Sequence, residues 1–99
     1  MAIEIGEEAL KQKHNHKNVE VLDVRTDEEV KEGMIPGAIH FPLDEVESRL
    51  SELNNNKEYV TVCAAGPRST QAADILTENG IQAQVLKGGM RDWSGSISK

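Results

Sequence analysis

One stretch near the middle of the chain reads Tyr59-Val60-Thr61-Val62-Cys63-Ala64-Ala65-Gly66-Pro67-Arg68-Ser69-Thr70, an apolar run that closes on the only cysteine. The β-branched run predicts a strand, the Gly-Pro pair predicts a break, and a helix is expected from Arg68 onward. The thiol of Cys63 would then lie in a loop at a helix N-terminus. Free backbone N–H groups and the helix dipole favour negative charge there, so the thiol should ionise readily. Cys63 is therefore the candidate nucleophile.

Composition indicates one small acidic domain. The chain has 99 residues, of which 37% are apolar and only Phe41, Tyr59 and Trp93 are aromatic, so the core should be aliphatic and modest in size. The net charge of -6 argues against nucleic acid or an anionic membrane as a partner. The single cysteine and the absence of a leader pattern at the N-terminus predict a soluble, cytoplasmic protein. We expect a monomer, because one core needs all the apolar residues.

Strand and helix patterns alternate along the chain, which predicts an α/β domain with a central, mainly parallel sheet flanked by helices on both faces. The domain should span residues 1–99, with 94–99 as a frayed tail. Cys63 closes a strand, and ligands collect at the carboxyl ends of strands in such sheets. We expect strands at 3–5, 19–25, 39–42, 59–63 and 83–86, and helices at 7–14, 27–32, 44–53, 68–79 and 90–93.

Two polar clusters receive structural interpretations rather than functional ones. Thr26 and Glu29 have the spacing of a capping box, and the acidic residues around them are typical of a solvated helix face. Asp44 is expected to cap the next helix. His14 and His16 have no cysteine or carboxylate at metal-ligand spacing, so a solvated loop is the better interpretation. We expect neither a metal nor a cofactor.

The residues that follow Cys63 distinguish a reactive thiol from a small buried hydrophobe. Small side chains leave room around the sulfur, a glycine permits unusual backbone angles, and the proline lacks an N–H. The arginine places a cation where an anionic reagent would lie. These residues are Ala64, Ala65, Gly66, Pro67 and Arg68.

Four motifs occur in one order along almost the whole chain: Leu22-Asp23-Val24-Arg25, Ile35-Pro36-Gly37-Ala38, Cys63-Ala64-Ala65-Gly66-Pro67-Arg68-Ser69, and Gly88-Gly89 with Trp93. In this combination the chain resembles the rhodanese family, specifically its small single-domain members. The resemblance identifies residues 63–69 as an active-site loop. It also implies that Asp23 and Arg25 support the active-site region, although a salt link at a strand end explains them equally well.

The resemblance implies sulfur transfer. The Cys63 thiolate would attack the outer sulfur of thiosulfate or of another sulfane donor, sulfite or a thiol would leave, and Cys63 would carry a persulfide. A thiol or cyanide would then accept that sulfur, and the thiol could belong to a small molecule or to a protein. The loop amides from Ala64 to Ser69 would stabilise the anionic persulfide, and Arg68 would hold the donor's oxyanion.

Two other functions are weighed against this one. Four residues separate Cys63 from Arg68, whereas related cysteine phosphatases have a loop one residue longer. The shorter loop should suit a sulfur atom and exclude a tetrahedral phosphate, which disfavours a phosphatase or an arsenate reductase. A non-enzymatic sulfur-relay or interaction module is the other alternative. Met34, where many relatives have histidine, and the uncharged Ala64 and Ala65 leave the choice of donor open.

Overall fold

Five parallel strands form the centre of the computed structural model, which describes residues 3–13, 18–65 and 67–99. The strand order is β1-β5-β4-β2-β3, and all four neighbouring pairs are parallel. The predicted α/β fold with a parallel sheet is confirmed. The strands are β1 Ile3–Ile5, β2 Val19–Asp23, β3 Ile39–His40, β4 Glu58–Val62 and β5 Gln82–Leu86.

Helices connect these strands. They are α1 Glu7–Lys13, α2 Asp27–Val30, α3 Pro67–Glu78 and α4 Gly89–Asp92, with two 3-10 helices at Leu43–Glu45 and Glu47–Glu52. The capping box before α2 is confirmed, because Thr26 Oγ1 accepts from the backbone of Glu29 while the Glu29 side chain accepts from the backbone of Thr26. α3 ends at Glu78, and Gly80, with a φ of 79°, provides the left-handed turn that follows it.

The α-helix predicted at 44–53 is wrong, because the two 3-10 helices occupy this segment. Pro42, and not Asp44, holds the N-cap position of the first one, and no side chain caps it. The partly or fully buried Leu43 and Val46 are three residues apart, as are Leu50 and Leu53. Side chains at i and i+3 eclipse in a 3-10 helix, so this spacing brings each pair to the same side.

Helices cover both faces of the sheet, as expected. On one face, side chains of α3 pack against alternate residues of β2 and β4: the buried cluster includes Leu22, Tyr59, Cys63, Ala72 and Leu76. On the other face, α1 contributes its buried leucine to a second cluster: Leu10, Val21, Val60, Val62 and Leu86. The central strands β2 and β4 therefore bury both of their faces, as central parallel strands do.

The segment expected to be a frayed tail is instead held by backbone hydrogen bonds. Ser98 pairs with Met34 as an antiparallel bridge, with N–O distances of 2.8 and 2.9 Å. The indole of Trp93 donates to the carbonyl of Ser96 at 3.0 Å, and both the backbone and the hydroxyl of Ser94 donate to Glu7. The Met34–Ser98 and Glu7–Ser94 partners are distant in sequence, so local polarity could not predict these contacts. The loop predicted around His14 and His16 lies outside the described residues.

The pairing of β2 with β4 positions the loop after β4. Asp23 is in register with Val62, and the backbone N–H of Val24 donates to the carbonyl of Val62 at 2.9 Å. Because parallel strands end at the same edge of a sheet, the residues after β2 lie beside the residues after β4. The start of α2 is thereby brought next to the loop that begins at Cys63.

Candidate functional site

Cys63 follows the last residue of β4 and is fully buried. Its thiol donates to the hydroxyl oxygen of Ser69 over 3.4 Å. Ser69 lies in the first turn of α3 and is also fully buried. The structure therefore brings together the candidate nucleophile and the last residue of the predicted loop, at the end of a helix where negative charge is favoured.

The remaining predicted loop residues lie between these two. Ala64 is half-buried and Ala65 is exposed, while Gly66 is outside the described residues. Pro67 is the first residue of α3, a position at which the missing N–H costs no helical hydrogen bond. The loop thus passes from the buried strand end to the surface and returns to the helix.

Ser69 is itself fixed by a neighbouring strand residue. Thr61 of β4 is fully buried, and its hydroxyl donates to the Ser69 carbonyl oxygen at 2.8 Å. This bond ties the first turn of α3 to the strand that carries Cys63. The distance between the Cys63 thiol and the Ser69 hydroxyl therefore depends on β4, which precedes the loop, and on α3, which follows it.

The start of α4 holds the other side of the loop. The backbone N–H of Met90 donates to the Cys63 carbonyl at 2.8 Å, and that of Arg91 donates to the Ala64 carbonyl at 2.9 Å. Gly89 has a φ of 60°, and a Cβ atom there would lie 2.5 Å from the Cys63 carbonyl oxygen. The turn at 87–89 is thus a close backbone contact that requires glycine at position 89.

Arg68 forms an ion pair with Glu29 of α2. Its Nη1 lies 2.6 Å from Oε1 and its Nη2 lies 2.9 Å from Oε2, a bidentate geometry. The Arg68 guanidinium, followed by the backbone N–H of Thr26, lowers the pKa of Glu29 to about 2. The pKa of Arg68 is raised, mainly by Glu29, with smaller contributions from the charges of Cys63 and Asp23. The cation expected to hold an oxyanion is therefore already engaged by a carboxylate.

The sequence predicts for Glu29 only a place in a capping box on a solvated helix face. The structure gives it a second role, since the capping geometry directs one carboxylate to both the Thr26 backbone and Arg68. The pairing of β2 with β4 is the feature that could have indicated the contact between Glu29 and Arg68. Glu29 follows the carboxyl end of β2 and Arg68 follows that of β4, and adjacent parallel strands would place both at one edge.

Asp23 and Arg25 form the salt link that was one of their two expected roles. Both are buried, and the Arg25 guanidinium contacts both carboxylate oxygens, with Nη2 2.8 Å from Oδ2 and Nε 2.9 Å from Oδ1. Nη2 also donates to the Gly33 carbonyl at 2.7 Å. The pair therefore links the end of β2 to the turn that precedes the Ile-Pro-Gly-Ala motif, beside the Cys63 loop.

A groove with a volume of about 720 Å³ opens next to Arg68. The segment after β2 forms one wall and the segment 42–45 forms another. Val24 lines this groove and bonds to Val62, the residue before Cys63, so the groove lies beside the loop. Its charged lining residues are Arg25, Asp27, Glu28, Asp44, Glu45 and Arg68.

Among the residues that the structure describes, neither a metal-binding cluster nor a membrane-spanning helix is present. No group of three or more histidine, cysteine, aspartate or glutamate side chains could hold a metal ion there. None of the helices in that part of the chain is both long enough and apolar enough to cross a membrane.

Comparisons with known proteins agree on one family. The model of the Rhodanese-like domain matches residues 7–96. The Bacillus subtilis protein named "Putative sulfur carrier protein YrkF" is 44% identical over 94 residues, which cover 93% of this chain and 51% of that protein. This chain therefore spans about half the length of that relative.

Two further relatives match nearly from end to end. The Bacillus subtilis protein named "Putative sulfurtransferase YtwF" is 40% identical over 93 residues, which cover 93% of this chain and 90% of that protein. The crystal structure of a rhodanese-like domain protein from Staphylococcus aureus superposes with a TM-score of 0.89 at 39% identity, covering 97% of this chain and 96% of that one.

Proposed function

We propose that this chain, which belongs to the family of rhodanese-like domains, is a sulfurtransferase that carries sulfane sulfur as a persulfide on Cys63. The observation that carries the proposal is the position of the Cys63 sulfur, 3.4 Å from the Ser69 hydroxyl in the first turn of α3. A helix N-terminus and a hydroxyl group both favour a thiolate over a thiol. The names of the relatives YrkF and YtwF support sulfur transfer as the general activity.

The first half-reaction begins with the Cys63 thiolate. Its electron pair attacks the outer sulfur of a sulfane donor and forms a new S–S bond, while the bond between the two donor sulfurs breaks. Thiosulfate would release sulfite, and an organic persulfide would release a thiolate. The product is the Cys63 persulfide, whose terminal sulfur carries the negative charge at neutral pH. No other oxidant or reductant is needed.

The second half-reaction returns the free enzyme. A thiolate acceptor attacks the terminal sulfur of the persulfide, and Cys63 leaves as a thiolate while the acceptor becomes a persulfide. Cyanide, as the acceptor, would become thiocyanate. Each half-reaction forms one bond to sulfur and breaks one, so a low barrier depends mainly on stabilising the anionic sulfur.

The loop supplies that stabilisation in our proposal. The carbonyl oxygens of Cys63 and Ala64 accept hydrogen bonds from the backbone N–H groups of Met90 and Arg91 in α4. With these acceptors bound elsewhere, the backbone N–H groups of the loop and of the first turn of α3 are the groups that suit an anionic sulfur. The Ser69 hydroxyl rotates to donate once the thiol has lost its proton.

Intact-protein mass spectrometry tests the proposal. The reduced protein is incubated with thiosulfate, with a thiosulfonate and with an organic persulfide, and we expect the mass of one sulfur atom to be added. The added sulfur should be removed by a thiol acceptor. Cys63→Ser keeps the size of the side chain and should accept no sulfur from any donor.

If the wild-type protein remained unmodified with the whole panel of donors, the enzyme proposal would be wrong and a non-enzymatic interaction module would be favoured. The phosphatase alternative has its own assay. Hydrolysis of an aryl phosphate that is lost in Cys63→Ser would reverse the preference for sulfur over phosphate.

A further inference from the structure

The charges around the groove beside Cys63 suggest which donors it accepts. This inference rests on the proposed sulfur transfer and concerns the class of donor. We infer that the Glu29–Arg68 ion pair and the carboxylates of the groove make Cys63 select donors without net negative charge over dianionic thiosulfate.

The two guanidinium groups of the groove are both neutralised. Arg68 binds Glu29 through both terminal nitrogens. Arg25 is bound by Asp23, with Nε and Nη2 of the guanidinium contacting the two carboxylate oxygens. An anionic donor that used either cation would have to share it with a carboxylate that is already in place, or displace that carboxylate.

The carboxylates of the groove are compensated less completely. Glu45 pairs with Arg49 at 3.2 Å, and Asp27 lies 3.7 Å from the Nδ1 atom of His40. Glu28 and Asp44 are exposed, and neither forms an ion pair within the described residues. The groove therefore presents net negative charge to an incoming molecule.

The effect on thiosulfate follows from Coulomb's law. A dianion near two uncompensated carboxylates is repelled twice as strongly as a monoanion at the same place, and a zwitterion is repelled little. At low ionic strength, removing both carboxylates should raise the rate of capture of a dianion by about three- to tenfold. The chemistry at Cys63 is the same for every donor that releases an oxidised sulfur leaving group.

A matched series of donors isolates charge from reactivity. Thiosulfate carries two negative charges, methanethiosulfonate carries one, and 2-aminoethanethiosulfonate is a zwitterion with none in total. In each case Cys63 takes the sulfane sulfur, and the bond to the sulfonyl sulfur breaks to release sulfite or a sulfinate. We measure kcat/KM for loading of Cys63 and divide it by the rate constant of the same donor with a small free thiol.

The wild-type protein should prefer the zwitterion, then the monoanion, then thiosulfate, after this normalisation. Glu28→Gln combined with Asp44→Asn should raise kcat/KM for thiosulfate by about three- to tenfold and leave the zwitterion within twofold. Glu29→Gln keeps an amide that can serve the helix cap but releases Arg68, so it should also favour thiosulfate.

Glu78→Gln is the matched control. Glu78 is exposed at the last turn of α3, about 15 Å along the helix axis from Arg68. The substitution removes one negative charge far from the groove and should leave the order of preference among the three donors unchanged. Circular dichroism checks that each variant is folded.

Ionic strength provides a test on the unmodified protein. Salt screens repulsion between like charges, so kcat/KM for thiosulfate should rise with added salt while that for the zwitterion stays constant. Equal normalised rates for the three donors, or a thiosulfate rate that falls with salt, would overturn the inference. If no donor loads Cys63, the proposed function itself is wrong, which is a different result from loading without charge dependence.

Discussion

The backbone N–H of Met90 donates to the carbonyl oxygen of Cys63 at 2.8 Å, which ties the candidate nucleophile to the start of α4. Cys63 begins the loop after β4, and Met90 belongs to the helix that follows β5. The backbone N–H of Arg91 likewise donates to the carbonyl oxygen of Ala64, so two consecutive backbone hydrogen bonds clamp the loop after β4. The geometry around the sulfur thus depends on α4 as well as on α3.

Gly89→Ala tests this clamp. The new methyl group would approach the Cys63 and Ala64 carbonyl oxygens within 2.5 and 2.7 Å, and alanine is disfavoured at a φ of 60°. We expect a loss of about 2 to 4 kcal/mol in the free energy of unfolding, together with slower sulfur loading. Urea denaturation and mass spectrometry measure the two effects. Gly6→Ala is the control, because no atom lies within 4 Å of a Cβ there. Similar behaviour of the two variants would contradict the clamp.

Ser69→Ala tests the hydroxyl beside the sulfur. A hydrogen bond to a charged group contributes about 1.5 to 3 kcal/mol, so we expect sulfur loading to slow by about ten- to a hundredfold. Stopped-flow or quenched measurements of persulfide formation give the rate constant. Ser51→Ala, at an exposed position, should load sulfur at the wild-type rate. An unchanged rate in the Ser69 variant would remove its hydroxyl from the proposed mechanism.

Arg25→Met tests the buried salt link. The substitution leaves the Asp23 carboxylate buried without its guanidinium and removes the bond to the Gly33 carbonyl. We expect the free energy of unfolding to fall by about 3 to 5 kcal/mol, as measured by urea denaturation. Arg91→Met changes an exposed arginine and should cost less than about 0.5 kcal/mol. A small effect at Arg25 would show that the link is not needed for stability.

Glu29→Gln tests the ion pair through its pH dependence. Arg68 and the Thr26 backbone hold the pKa of Glu29 near 2, well below the ordinary value of 4.5. A carboxyl group whose pKa is lowered in the folded state stabilises the protein above its unfolded-state pKa and loses that effect as the pH falls toward its folded-state pKa. The wild-type protein should therefore be more stable than Glu29→Gln above about pH 5.

The difference should shrink between about pH 4.5 and pH 2, where Glu29 becomes protonated. Thermal unfolding of both proteins at several pH values measures it, and a comparison of the two cancels the titration of the other carboxyl groups. A difference that grows as the pH falls would show that the Glu29 charge does not stabilise the fold.

Several features of the fold and the site were predictable because neighbouring residues encode them. The β-branched run before Cys63 forms β4, Pro67 begins α3, and Gly80 ends it with a positive φ. The Thr26–Glu29 capping box is likewise a local contact across three residues. Such signals depend on backbone propensity and on hydrogen bonds within one turn, which the sequence specifies directly.

The 3-10 helices show where this local reasoning ends. The pattern of apolar residues from Leu43 to Leu53 fits an α-helix about as well as a 3-10 helix, and in the structure these residues pack against the core from two 3-10 helices. The tail also depends on distant partners, since Met34 and Ser98 pair across 64 residues of chain. Neither outcome follows from propensity in a short window.

From its sequence alone, this chain could be assigned an α/β fold, a single cysteine at a strand end and a short loop leading into a helix. The tertiary structure decided what surrounds that cysteine: Ser69 within 3.4 Å, Met90 on its carbonyl, and Glu29 on the arginine that would otherwise be a free cation. The reason is physical. Strand order brings residues that are 27 and 39 positions apart to one edge of the sheet, and only the completed packing determines which charges meet there.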